Sequence, residues 1–321
     1  MGDFISVPTV DFGCLQDEET KPQELLNLRD ALFRVGFLYL VNNGVEPLIR
    51  ELHGHLPAAF ALPAEEKERV NMRNSPSFLG YTALGAETTA SKADLREYPN
   101  LKKFREAAEQ YMAALDRVSK LFLCFVAESL ELPPDTFDSF VGRMHRLKAV
   151  KYPPSAPGSQ GVGPHKDSTG LFTFLSQDAV GGLQVLSKAG EWIGAPPVDG
   201  ALVVNVQQGF EAITGGACPA TTHRVISPTA TVRYSIPFFQ AVRLDLTNAQ
   251  LRASAAHIVA RIPITDDRRK RAVDVPSEFL SPLFSCFGEA QLRNRVVSHP
   301  DVGKQWYPEL YERYVEQQLP V

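Results

Sequence analysis

The chain is short of the residues that build redox or structural metal knots. Its four cysteines, Cys14, Cys124, Cys218 and Cys286, are scattered and form no CxxC pair. That spacing argues against a zinc ribbon or a dithiol redox motif and points to a reducing compartment. A basic excess is missing too. With 33 Lys+Arg against 37 Asp+Glu the net charge is −4, whereas a nucleic-acid binder needs clustered cations to neutralise phosphates. One basic run, Arg268-Arg269-Lys270-Arg271, reads as a solvated loop. No apolar run reaches membrane-spanning length, and the N-terminus lacks the basic-then-apolar order of a secretory signal. Gly2 and Ser6 fit the loose myristoylation pattern, but there is no polybasic second signal after them, so lipid anchoring is not expected. The expectation is a soluble cytoplasmic protein with a small-molecule substrate and no nucleic-acid or membrane partner.

At 321 residues and 44% hydrophobic, the chain has enough material for a large core. Its first 140 residues read as mostly helical. Leu25, Leu26, Leu28, Ala31, Leu32 and Val35 recur at helical spacing, and "FLYLVNNGV" then reads as a strand closed by a turn. Helices are expected over about 46–60 and 63–71. A long one is expected over 101–130, where Phe104, Ala108, Tyr111, Leu115, Val118, Phe122, Phe125 and Val126 form a stripe that Pro133-Pro134 terminates. From about 143 the texture changes to short β-branched and aromatic runs between Gly and Pro: "RLKAVKYPP", "LFTFLSQ", "GGLQVLS", "ALVVNV", "THRVIS" and "VRYSIPFF". Such runs imply an antiparallel sandwich or barrel. After 245 helical text returns, ending in an expected helix from Pro308 to Leu319. The chain thus divides into a largely helical region (1–142), a β-rich core (143–245) and a C-terminal helical extension (246–321).

Within "GPHKDSTG", His165 and Asp167 stand two apart, the spacing that puts both on one face of a strand. With 7 His among 37 acids, a His-x-acid pair is near the chance expectation, and His299-Pro300-Asp301 supplies a second one. The first gains weight from residues downstream of it. With 55 residues between Asp167 and it, His223 lies in the same β-rich block, completing two imidazoles and one carboxylate. That donor set suits Fe(II) in a facial arrangement that leaves positions open for O2 and a bidentate co-substrate. Ten residues beyond His223, Arg233 and Ser235 share a strand face and suit a carboxylate clamp. The C-terminal pair has no later histidine and no such clamp, so it reads as a turn at a helix boundary. His53, His55, His145 and His257 have no partner at ligand spacing and read as structural.

The chain resembles the isopenicillin N synthase-like group of 2-oxoglutarate- and Fe(II)-dependent dioxygenases, in a fungal-type form. "VPTVDF", "LRDALFRVGFLYLVNNGV", "FALPAEEKERV", "GYTALGAE", "GGLQVLSKAGEWIGAPPVDGALVVNV" and "SHPDVGKQWYP" carry that resemblance over nearly the whole length. It implies a mainly β fold with helical flanks (α+β), a double-stranded β-helix or jelly roll. It implies Fe(II) on His165, Asp167 and His223, and 2-oxoglutarate on Arg233, Ser235 and Tyr152. No catalytic residue beyond the metal site is implied. O2 is the oxidant, and ascorbate the expected reductant in vitro. The activity implied is hydroxylation, desaturation or a related oxidation of a small organic molecule in specialised metabolism. An Fe(II) oxidase or oxidative cyclase that does not use 2-oxoglutarate stays open, as does a non-catalytic binding protein. Three departures from the family pattern stand out: Val150 in place of a frequent Asn, Gln207-Gln208 in place of Gly-Asp, and a short "DLREYPNLKKF". The second implies specialised substrate contacts. The third implies either a trimmed lid or an omitted loop near 97–101.

Overall fold

The computed structural model describes residues 4–83, 88–89, 92–93, 102–168, 170–262 and 284–317. The basic run at 268–271, the segment 97–101 and Gly2 lie outside the described residues. The chain opens with β1 (Thr9–Asp11) and α1 (Lys21–Asp30), whose continuation widens into a π-helical turn over Ala31–Val35. β2 (Phe37–Val41), α2 (Glu46–Phe60) and α3 (Ala64–Arg69) come next, then the two-residue strands β3 (Thr88–Thr89) and β4 (Lys92–Ala93). The long helix is α4 (Lys102–Ser129). It ends where Glu131 turns to a φ of 57°, ahead of the two prolines. Leu26 is 55% exposed, contrary to its place in the expected stripe. It falls off the i, i+3, i+7 line of Leu25, Leu28 and Leu32.

The β-rich block contains β5 (Arg146–Leu147), β6 (Val150–Tyr152), β7 (Gln160–His165), β8 (Gly170–Gln177), β9 (Leu183–Leu186), β10 (Trp192–Gly194) and β11 (Leu202–Val206). The short helix α5 (Gln208–Ile213) precedes β12 (His223–Ile226) and β13 (Arg233–Ala241). Helices α6 (Asn248–Val259), α7 (Phe287–Ser298), α8 (Pro300–Trp306) and α9 (Pro308–Tyr311) complete the described chain. The final helix continues in wider turns to Glu316, short of the expected Leu319, which lies outside the described residues.

Two sheets result. The larger runs β1-β2-β11-β8-β13-β5 with β6 also on β13; the smaller runs β10-β9-β12-β7. Their pairings are antiparallel except for β1 on β2. Central strands of the larger sheet are buried on both faces because both are covered. On the outer face Leu38, Leu40, Phe172, Phe174, Val204, Ile236 and Phe238 cluster with the buried stripe of α4. On the inner face Phe37, Tyr39, Val150, Tyr152 and Val203 meet Val162, Leu183, Val185 and Val225 from the smaller sheet. This is a jelly roll, the sandwich that the spacing of the short runs predicts. β1 and β2, from the helical region, belong to the larger sheet, so the sheet crosses residue 142.

A smaller cluster of Met72, Phe78, Val296 and Val302 joins the segment after α3 to the C-terminal helices. Tyr307 Oη donates to Pro76 O at 2.7 Å and Trp306 Nε1 to Arg73 O at 2.8 Å.

Candidate metal centre

His165 closes β7, and Asp167 lies beyond the strand in the turn toward β8. The expectation that both share a strand face is therefore wrong in its mechanism. The ladder stops because the chain bends away: the Asp167 carbonyl accepts Gln208 N–H at 2.8 Å from the start of α5. The two side chains converge all the same. His223 opens β12 and is directly paired with His165 across the antiparallel ladder, which sets their rings 4.3 Å apart. The Asp167 carboxylate oxygen Oδ1 lies 3.5 Å from His165 Nε2 and 3.7 Å from His223 Nε2. The three candidate donor atoms all lie within 4.8 Å of one another.

Each of these groups is oriented through its other polar atom. His165 Nδ1–H donates to Gly163 O at 2.8 Å and His223 Nδ1–H to Thr221 O at 3.1 Å. Because a carbonyl only accepts, these bonds fix the tautomer and leave both Nε2 lone pairs facing the centre. Asp167 Oδ2 accepts from Thr173 Oγ1 at 2.5 Å and from Asn205 Nδ2 at 2.9 Å, so Oδ1 is the oxygen presented. Burial opposes the charge on Asp167, but the facing His223 and His165 rings and the hydrogen bond from Thr173 outweigh it and hold the carboxyl well below its usual range. Burial pushes His223 down to about 4, which keeps the imidazole neutral and able to ligate. The chemistry of this donor set fits Fe(II).

The position of His223 depends on a tight approach from the N-terminal region. Gly36 adopts a φ of 78°, and a Cβ on it would collide with Thr221 Oγ1. Thr221 Oγ1 instead donates to Val35 O at 2.9 Å, tying the end of the π turn to the loop that holds His223.

Arg233 and Tyr152 are directly opposed on β13 and β6, and Ser235 faces Val150. Arg233 is 0% exposed, the largest fully buried side chain among the described residues. Its Nη2 donates to Gln177 Oε1 at 3.0 Å, and its guanidinium carbon lies 4.6 Å from the centre of the Tyr152 ring. Nε and Nη1 are buried without a hydrogen-bond partner among the described residues. A buried guanidinium with two unengaged donors is costly to leave so, and a carboxylate is the group whose geometry fits them. These residues therefore fit a 2-oxoglutarate carboxylate.

Thr173, Asn205 and Gln177 went unrecognised in the sequence. Their signal is a polar residue on the inner period of an apolar strand, in "LFTFLSQ" and "ALVVNV". Gln207 and Gln208, expected to specialise substrate contacts, have buried side chains, and the Gln207 N–H donates to Leu171 O at 2.9 Å. Val150 is buried in the inner cluster. His299 caps α7 and α8, its ring edge-on to Phe78 at 6.0 Å, and Asp301 is exposed. His145 Nδ1 accepts Ala241 N–H at 3.0 Å while its Nε2 lies 3.1 Å from Asp116, a tie between α4 and the sheet.

The chain is similar to known proteins in both fold and sequence. A Neurospora crassa protein solved with alpha-KG and thymine is similar in fold, with a TM-score of 0.69 and 22% identity, covering 91% of this chain and 96% of that one. A rice dioxygenase for auxin oxidation superposes with a TM-score of 0.69 at 25% identity, over 91% of this chain and 95% of that one. Residues 7–119 match the N-terminal family of the non-haem dioxygenase in morphine synthesis, and residues 142–241 match the 2OG-Fe(II) oxygenase superfamily. A 2-oxoglutarate-dependent dioxygenase, frbJ, of Dothideomycetidae sp. (strain 11243) is 41% identical over 96% of this chain and 94% of its own length. A 2-oxoglutarate-dependent dioxygenase of Gibberella zeae is 34% identical over 98% and 94% respectively. The chain belongs to the 2-oxoglutarate- and Fe(II)-dependent oxygenase family, whose cofactors are Fe(II), 2-oxoglutarate and O2.

Proposed function

We propose that this oxygenase oxidises a small organic molecule of specialised metabolism, with Fe(II) on His165, Asp167 and His223 and 2-oxoglutarate on Arg233, Ser235 and Tyr152. The observation that carries the assignment is the convergence of three donor atoms whose partner atoms are already engaged. Fe(II) bound there supplies O2 activation coupled to decarboxylation of 2-oxoglutarate to succinate and to oxidation of the substrate.

The chain's own residues bind, orient and exclude water. Asp167 contributes the one negative charge among the three donors, and Thr173 with Asn205 keeps a single oxygen turned inward. Arg233 holds two N–H groups ready for a carboxylate, with Gln177 and the Tyr152 ring fixing the guanidinium plane. The inner cluster of Phe37, Val185, Val203 and Val225 keeps this end of the sandwich dry. Residues 143–245 form the oxygenase core, with the segments on either side as helical flanks. No helix among the described residues is long and apolar enough to cross a membrane. Four cysteines without a disulfide accord with a cytoplasmic setting.

The test is a metabolite screen with Fe(II), 2-oxoglutarate, O2 and ascorbate, read by mass spectrometry. The expected result is a product that gains an oxygen atom or loses two hydrogens, with succinate released in step. Product without succinate would instead favour an oxidase that does not use 2-oxoglutarate.

A further inference from the structure

A further cation stands on the inner face of the large sheet. Arg146 is directly opposite Phe239, Phe239 is opposite Thr173, and Thr173 is opposite Asn205. Residues opposed across neighbouring strands project to the same face, so these four form one row. At its far end Thr173 and Asn205 grip Asp167. Leu147, on the other face, packs into the outer core, which confirms the direction of Arg146. The backbone of Arg146 lies two strand spacings, roughly 10 Å, from Thr173.

Among the described residues the surroundings of Arg146 do not neutralise it. Its side chain is half-buried and Nη2 donates to Ser77 O at 3.0 Å, a neutral acceptor. Among the described residues no carboxylate forms an ion pair with it. Its charged neighbour is instead Arg295 on α7, and burial together with that second cation pushes the Arg146 guanidinium down to about 9. Helix α7 is held against the metal loop, where Asn294 Nδ2 donates to Ser168 Oγ at 2.7 Å, one residue beyond Asp167. A half-buried cation bonded to a neutral carbonyl, on the sheet face that carries the groups gripping Asp167, is an arrangement that an entering anion relieves.

We propose that Arg146 anchors a carboxylate of the organic substrate, which makes a carboxylic acid the substrate class. The proposal rests on the oxygenase reading above. This anchor is separate from the 2-oxoglutarate clamp, because Arg233 and Phe239 are the first and seventh residues of β13, roughly 20 Å apart along an extended strand. Arg146 determines specificity by position: it fixes one end of the substrate and leaves the row between Arg146 and Thr173 for the carbon that is oxidised.

The test uses anaerobic full-length protein with Mn(II) in place of Fe(II) and saturating 2-oxoglutarate, so that Arg233 is occupied. Matched probes are benzoate and benzamide, phenylacetate and phenylacetamide, hexanoate and hexanamide, and N-acetylphenylalanine and its amide. Binding is read by calorimetry and thermal shift. At least one carboxylate is expected to bind, with its amide roughly 10- to 100-fold weaker, the range of a charge-assisted hydrogen bond. Arg146→Gln should erase that preference and Arg146→Lys should keep part of it, while 2-oxoglutarate affinity stays unchanged in both variants. The proposal is overturned if no pair shows the preference, or if the preference survives in Arg146→Gln. Failure of the wild type to bind 2-oxoglutarate would overturn the oxygenase reading itself, and this proposal with it.

Discussion

The chain contains the pattern His-x-Asp twice, and the two copies lie in different surroundings. His165 ends a strand, faces a second histidine across an antiparallel ladder, and shares its neighbour with a carboxylate whose outer oxygen is already bound. His299 lies between two helices, bonded through Nδ1 to Ser298 Oγ at 2.8 Å and packed edge-on to Phe78, while Asp301 points into solvent from the first turn of α8. Spacing alone does not make ligands. Convergence does, and convergence requires a third group delivered by another strand and a set of bonds that aim all three.

The comparison breaks most visibly if the carboxylates are exchanged in role. Asp167→Ala is expected to lower 2-oxoglutarate turnover by well over the roughly 100-fold that outer partners of a metal ligand are worth. Asp301→Ala should leave turnover within about twofold, since an exposed surface change perturbs little. Steady-state succinate release measures both. A second effect falls on the co-substrate: Arg233→Gln should raise the KM for 2-oxoglutarate by roughly 10- to 100-fold, in the range of a lost charge-assisted bond. Thr173→Val tests the bonds that aim Asp167 and should weaken Fe(II) binding by roughly 10- to 100-fold with the fold intact.

Smaller effects separate stability from chemistry. His299→Ala should cost on the order of 1–3 kcal/mol of stability, as for other buried packing losses, while metal binding persists. The corresponding change at His165 should abolish metal binding at little structural cost. Thermal melts read against metal titrations distinguish the two. Gly36→Ala should destabilise by a similar amount, through its φ and through the collision with Thr221 Oγ1. It should also loosen metal binding, because Thr221 O holds His223.

A half-buried histidine outside both pairs supplies the pH dependence. His53 bonds Ser176 Oγ at 3.0 Å, and burial, only partly offset by Asp178, pushes it down to about 4. Above pH 6.5 neither folded nor unfolded His53 is charged. As pH falls from 6.5 to about 4 the unfolded chain takes up the proton and the folded chain does not. Stability therefore drops across that window, by at most about 3 kcal/mol, and levels off below it. In His53→Gln this component of the stability profile should be flat.

Much of the fold was legible in the sequence because the long elements have strong periods. The stripe of α4 and the apolar strand β2 needed no tertiary information, and neither did the runs that become β8, β11 and β13. The features that stayed hidden depend on pairing. The bend that takes Asp167 out of β7 rests on a hydrogen bond from Gln208, 41 positions away in the sequence. Thr173 and Asn205 are ordinary polar residues until the register of β8 on β11 sets them side by side. Arg146 reads as a surface charge until β5 pairs with β13. The histidine-carboxylate set was legible because its residue types are specific to the chemistry, whereas its supports are specific only to the geometry.

The most direct test is visible absorption of the anaerobic protein with Fe(II) and 2-oxoglutarate. A metal-to-ligand charge-transfer band is expected in the wild type and in Asp301→Ala, and is expected to vanish in Asp167→Ala. A wild type without the band, or a band that persists in Asp167→Ala, would contradict the assignment of His165, Asp167 and His223 as the iron site.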